Sequence, residues 1–278
     1  MNTLLSFLSV ALYAGAWGTL ARSYQHNIDA MHRGGTPKQA LAGALVLSGL
    51  GLVCHGSVLA RSISTASGVD VGFFNVASAT TWVITSLLTI LAISRPVAAL
   101  GLIIWPLAAV AIVASAAFQV ERLLSPDTNA GVHVHVFTSV LAASVLAIAA
   151  CQSLVLYVQE GRLRARRPGR ITRVLPPLQL QETMLVQLLV GGFFLLSLSL
   201  ASGIVFVQDL LAQHLVHKTV LAFSAWLVFA TVLYGRWRFG WRGRTLIRWS
   251  LSGFATLWLA YFGAKLVLEI MLGRAWSA

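Results

Sequence analysis

Eight long apolar runs govern what this chain can fold into: about 3–21, 40–60, 73–94, 97–118, 133–157, 186–206, 218–234 and 246–272. Each approaches the roughly 20 residues that an α-helix needs to cross about 30 Å of hydrocarbon. In lipid no water satisfies a free N–H or C=O, so runs of this length must bond internally, as helices. With 58% of residues hydrophobic and only 10% charged, the chain has too little polar surface for an ordinary water-soluble domain. The expectation is an all-α, polytopic membrane helix bundle of about eight transmembrane helices. Short loops make consecutive helices antiparallel neighbours and predict one transmembrane domain over 1–278.

A formal charge of +12 raises nucleic acid as a partner, and the distribution of that charge argues against it. With the N-terminus outside, the inner loops collect Arg22, Arg33, Lys38, Arg95, the six arginines at 162–173, Arg236, Arg238, Arg242, Arg244 and Arg248. The outer loops keep Arg61, Arg122, Lys218 and Arg274, and Lys265 lies in a span. Fifteen against four is a positive-inside asymmetry, with both termini outside. The basic run at 162–173 is therefore expected at anionic headgroups, with membrane lipid as its partner. The first Arg follows the first apolar run, so that run reads as a retained helix and not as a cleaved signal. Multi-pass residence in a bacterial inner membrane is the expected localisation.

Cys54 and Cys151 fall within spans and outside any CxxC, which gives neither a disulfide framework nor a redox pair. The longest interruption, 158–185, contains Pro176 and Pro177, and Pro177 is placed to open a short amphipathic helix carrying Glu182. A second interfacial helix is expected over 207–216. Trp237, Trp241, Trp249 and Trp276 read as headgroup-level anchors, and Trp105, Trp226 and Trp258 as deeper packing residues.

The histidines divide by side. His26 and His32 go to the first inner loop, whereas His55, His133, His135, His214 and His217 gather toward the outer surface. At 1.5 Å per residue, His55 lies roughly 8 Å below the outer boundary. A lone intramembrane histidine is most simply a hydrogen-bonded one, but imidazoles delivered from three helices to one layer point to a metal or haem site. His133 and His135 are about 200° apart around a helix, so at most one faces the bundle, while His214 and His217 share a face. Zinc wants further carboxylate or thiolate ligands at close spacing. Haem needs one or two axial ligands, an apolar slot and cations for its propionates, and Arg61, Arg122 and Lys218 lie on that same side. Lys265 and Glu269, four apart in the last span, read as an intramembrane ion pair.

Several of these residues sit in recognisable strings: His135 with Ser139, Leu175-Pro176-Pro177-Leu178-Gln179 with Glu182, and the sixth-span segment 191–203. Others are His217-Lys218-Thr219-Val220-Leu221 leading to Ala225-Trp226, Gly240-Trp241-Arg242-Gly243-Arg244, and Ala260-Tyr261-Phe262-Gly263 through Lys265 to Glu269. Over 132–270 they resemble the cytochrome c assembly protein family, and in particular its smaller eight-helix, YpjD- or HemX-like inner-membrane branch. The first 130 residues match it mainly in hydropathy. The resemblance implies a haem-binding inner-membrane protein of cytochrome c assembly or haem handling, with a non-covalent, b-type haem. It makes His135 and His217 the axial ligands, His55 a second or alternative ligand, and other maturation or membrane proteins the partners. The tryptophan-rich, aspartate-ended outer loop of haem-delivering members is missing among the nine tryptophans, so the likeness carries haem binding further than haem presentation. The competing readings are a membrane scaffold or regulatory subunit with structural histidines, and a small-solute or metal transporter using Lys265 and Glu269. An enzyme is not expected, since no nucleophile and base occur at recognisable spacing.

Overall fold

The computed structural model describes residues 2–30, 38–65, 68–70, 72–118, 123–124, 130–166, 175–206 and 213–263. It is helical almost throughout. The helices are α1 (Asn2–Ala30), α2 (Lys38–Ile63), α3 (Phe73–Ser94), α4 (Gly101–Ala117), α5 (Ala130–Arg164), α6 (Leu178–Phe206), α7 (Gln213–Phe239) and α8 (Gly243–Trp258). A 3-10 turn, Ala98–Leu100, leads into α4, and a π turn, Leu259–Gly263, prolongs α8. Seven helices, α1 to α7, are long and apolar enough to cross a membrane. The eighth apolar run opens as α8 and then passes beyond the described residues.

The chain forms two compact units, Met1–Leu124 with Leu154–Gln181, and Ser125–Ser153 with Glu182–Ala278. In the first, α1 packs on α2 and α4, and α3 packs on α2 and α4, which closes a ring of four helices. Its core is Tyr13, Ala16, Leu20, Ala44, Trp105, Ala108 and Ile112. Alanines at the contact faces let backbones approach closely, the usual basis of helix association where lipid is as apolar as leucine. Gly51 serves the same end: a Cβ there would stand 2.9 Å from the Tyr13 ring. At one end of this unit the strands Ser64–Thr65, Gly68–Asp70 and Leu123–Leu124 form a small antiparallel sheet that the apolar pattern does not foreshadow. Asp70, the last residue of the central strand, accepts the Gly72 N–H at 2.8 Å and the Asn75 amide at 2.9 Å, tying down the start of α3.

In the second unit, α7 packs on α8 and on the π turn. Pro177 does not open a separate surface helix as expected. Its carbonyl accepts the N–H groups of Leu180 and Gln181, and the helix so started runs on without a break to Phe206. Proline is tolerated here because the first-turn N–H would have no intrahelical acceptor anyway. The interfacial helix expected over 207–216 lies largely outside the described residues, its last positions belonging to α7. Among the anchors, Trp241 stacks on Trp249 at 5.7 Å and Trp237 is exposed, whereas Trp276 lies outside the described residues.

Glu182 joins two of the strings quoted above. One carboxylate oxygen accepts the Gly243 N–H at 2.8 Å, and the other lies 3.8 Å from Arg242 Nε. A carboxylate at the first turn of α8 meets both an orphan donor and the positive end of the helix dipole. The turn before it is closed by Arg236, whose guanidinium donates to the Trp241 carbonyl at 2.9 Å. Glu182→Ala is expected to destabilise the protein by about 2 kcal/mol, the scale of a hydrogen bond to a charged group, and Glu182→Gln by less. Thermal unfolding in detergent reads both.

Candidate histidine site

His135 stands near the N-terminal end of α5 and its ring packs against α6 of the same unit. Nδ1 lies 2.9 Å from the Ser199 carbonyl oxygen and 3.2 Å from Ser202 Oγ. A carbonyl only accepts, so Nδ1 carries the proton, and in neutral imidazole Nε2 is then the lone-pair donor. Nε2 has no hydrogen-bond partner among the described residues. The contact needs a glycine opposite the ring: a Cβ on Gly203 would stand 2.9 Å from His135 Cε1.

One turn along α5, Ser139 Oγ meets Ser199 Oγ at 2.6 Å, and the Tyr261 phenol hydrogen-bonds both serines. The first turns of α5, the last turns of α6 and the π turn after α8 are thus laced together beside the imidazole. His133, two residues away, is exposed, in keeping with one histidine of the pair facing the helices. His214 and His217 belong to the first turns of α7, and their side chains lie outside the described residues. Lys218 is half-buried and engaged. Trp226 stacks against Phe193 at 5.4 Å and Phe223 at 5.6 Å and donates its indole N–H to Ser197 Oγ at 2.8 Å, a packed position. Lys265, Glu269 and Arg122 lie outside the described residues, and Arg61 is exposed.

His55 belongs to the first unit and has a different setting. It is fully buried, with Nδ1 3.3 Å from the Tyr13 hydroxyl and Nε2 2.9 Å from Ser78 Oγ. Its ring meets Tyr13 edge-on at 6.0 Å. Both nitrogens are taken up by α1 and α3, so the imidazole joins three helices. Of positions 55, 135 and 217, the first is hydrogen-bonded at both ring nitrogens, the second at Nδ1 alone among the described residues, and the ring of the third lies outside the described residues.

Among the described residues no three of His, Cys, Asp and Glu converge as a metal-binding group. Sequence reasoning reached Ser199 and Ser202 only as unnamed members of the 191–203 segment, and it missed Tyr13 and Ser78. They are small or hydroxylated residues in apolar helices, and nothing marks them before packing sets them against an imidazole.

The family model of the cytochrome C assembly protein matches residues 44–272. Inner membrane protein YpjD of Escherichia coli strain K12 is 28% identical over 82% of this chain and 87% of its own length. An uncharacterized 28.8 kDa protein of Azospirillum brasilense is 33% identical over 51% of this chain and 53% of its own. The cytochrome c biogenesis protein CcsA of a Synechocystis strain is 31% identical over a shorter stretch, 31% of this chain and 26% of that protein. No solved structure matches. With seven apolar helices and these relatives, the chain is a multi-pass inner-membrane protein. The matched span takes in the His135 site, the Glu182 tie and the π turn: the chain belongs to the cytochrome c assembly protein family, and that membership supports a role in cytochrome c biogenesis.

Proposed function

We propose that this protein binds haem in cytochrome c assembly or haem handling, with His135 as an axial ligand. One observation carries the reading: the His135 ring is held by its Nδ1–H on the Ser199 carbonyl, which leaves Nε2 as an oriented lone pair. Ligating histidines are characteristically fixed this way, since a hydrogen bond on one nitrogen sets the tautomer, aims the ring and raises the basicity of the other. Haem requires of the protein one or two such donors and an apolar surround, and it supplies the redox-active iron itself.

The remaining assignments follow from chemistry and position. His217, in the first turns of α7 in the same unit, is the proposed second ligand. The proposed binding is of the b type, because Cys54 and Cys151 form no CxxC pair for covalent attachment. His55, bonded at both nitrogens, is assigned a structural role. Other cytochrome c maturation proteins are the proposed partners, and no nucleic acid is among them.

Protein purified in detergent with haem supplied is expected to show a Soret band. A protein that stays colourless under those conditions overturns the proposal. Gly203→Val, which puts a Cβ 2.9 Å from the imidazole Cε1 and displaces the ring without deleting it, is expected to weaken haem retention by about tenfold, the scale seen when a group that orients a ligating histidine is disturbed. Haem transfer to apomyoglobin measures it.

A further inference from the structure

The first unit carries a half-open apolar groove of about 200 Å³, lined by Tyr24, Leu102, Ile103, Leu154, Val155 and Val158 among others. That is large beside the roughly 30 Å³ share of one water, and a cavity with no polar wall does not hold ordered water. In a bilayer its natural content is hydrocarbon.

Charge at one end selects which hydrocarbon. The groove is made by the C-terminal part of α1, the N-terminal turns of α4 and the C-terminal half of α5. Arg162 lies four residues past Val158 and seven past Val155, so it stands on the helix face that lines the groove. It is exposed and forms no ion pair among the described residues, whereas its neighbour Arg164 is matched by Glu160 at 2.7 Å. Helix α5 has 35 residues, far more than the roughly 20 that span the hydrocarbon, so its basic end reaches headgroup level while Leu154 and Val155 remain among the acyl chains. On the orientation that the Lys and Arg asymmetry predicts, this is the cytoplasmic leaflet, where anionic lipid gathers.

We infer that the groove is a binding site for one anionic phospholipid, an acyl chain lying along Tyr24, Leu102 and Val155 and the headgroup phosphate meeting Arg162. The inference does not depend on haem. The site offers a guanidinium to a phosphate and an apolar slot to a single chain, a pairing that phosphatidylglycerol satisfies and that zwitterionic phosphatidylcholine satisfies less well.

The test uses the full chain in vesicles of equal phosphatidylglycerol and phosphatidylcholine, with a photoreactive group on the acyl chain of one lipid at a time. Labelling by phosphatidylglycerol is expected to concentrate on the peptide containing 154–158, above the level at Ile90 and Ile93, which face outward on α3. After detergent extraction, lipid counted by native mass spectrometry should be mainly phosphatidylglycerol. Arg162→Gln is expected to narrow that preference by about fivefold, the scale of one basic residue at an anionic surface. Val158→Trp, which fills the groove from a half-exposed position, should remove the retained lipid, and Ile93→Trp should not. Equal labelling of 154–158 and of Ile90 and Ile93 by the two lipids overturns the inference. So does a Val158→Trp protein that keeps its lipid, or a protein segment or other apolar molecule in the groove instead. Because the labelling is done on the unaltered sequence, a variant that fails to fold does not leave the question open.

Discussion

His135→Ala protein is expected to lose its Soret band almost completely, retaining haem at least about tenfold more weakly than the unaltered chain, which corresponds to about 1.4 kcal/mol or more. Its helices should remain intact, because the ring is only partly buried and what alanine deletes is the hydrogen bond to the Ser199 carbonyl. That carbonyl keeps a partner in the Ser202 hydroxyl, which donates to it at 2.9 Å. Free imidazole added to the variant should restore part of the band, since Gly203 leaves the space beside α6 open. A variant that binds haem as tightly as the unaltered chain removes His135 from the site. Spectra and a melting curve taken on one preparation separate loss of ligand from loss of fold.

His55→Ala is expected to behave in the opposite way, destabilising the protein by about 3 kcal/mol. Most of that is the cavity left by a large buried side chain, for which truncations cost about 2–5 kcal/mol. The two broken hydrogen bonds add less, because side-chain bonds between transmembrane helices average only about 0.6 kcal/mol. Ser78→Ala, which removes one of those bonds and opens little space, should therefore cost well under half as much. Under the structural assignment, His55→Ala protein that still folds keeps its Soret band. Loss of the band in folded protein would return His55 to the ligand set.

These two histidines show how far a sequence reading reaches. Each sits in an apolar helix within a few turns of one of its ends, and neighbours in sequence do not distinguish them. What separates them is the partner. His55 meets the Tyr13 hydroxyl and the Ser78 hydroxyl, 42 and 23 residues away, and both of its nitrogens are used. His135 meets a main-chain carbonyl 64 residues away, and its other nitrogen has no hydrogen-bond partner among the described residues. Helix periodicity predicts which residues share a face, but it says nothing about which face of another helix will lie opposite. The strings that resemble the family fare better: Ser139, the 191–203 segment and Tyr261 were legible as a group, and they lie together around His135. Glu182 was visible as an unusual carboxylate, while its role at the start of α8 required the fold to bring the 240–244 turn to it.

The apolar runs alone determined that the chain crosses a membrane repeatedly as helices, because hydrocarbon leaves the backbone no other way to satisfy its polar groups. Their lengths placed seven spans close to where the helices lie, although α5 and α6 extend well past the apolar boundary as polar but helix-compatible residues continue the same backbone ladder. Only the tertiary structure decided the rest: that Pro177 starts a span instead of a surface helix, that short strands pair within the first unit, and that His135 Nε2 has no hydrogen-bond partner among the described residues. Those outcomes depend on contacts between segments far apart in sequence, where a glycine or a serine acts by the room or the hydrogen bond it gives to a distant neighbour.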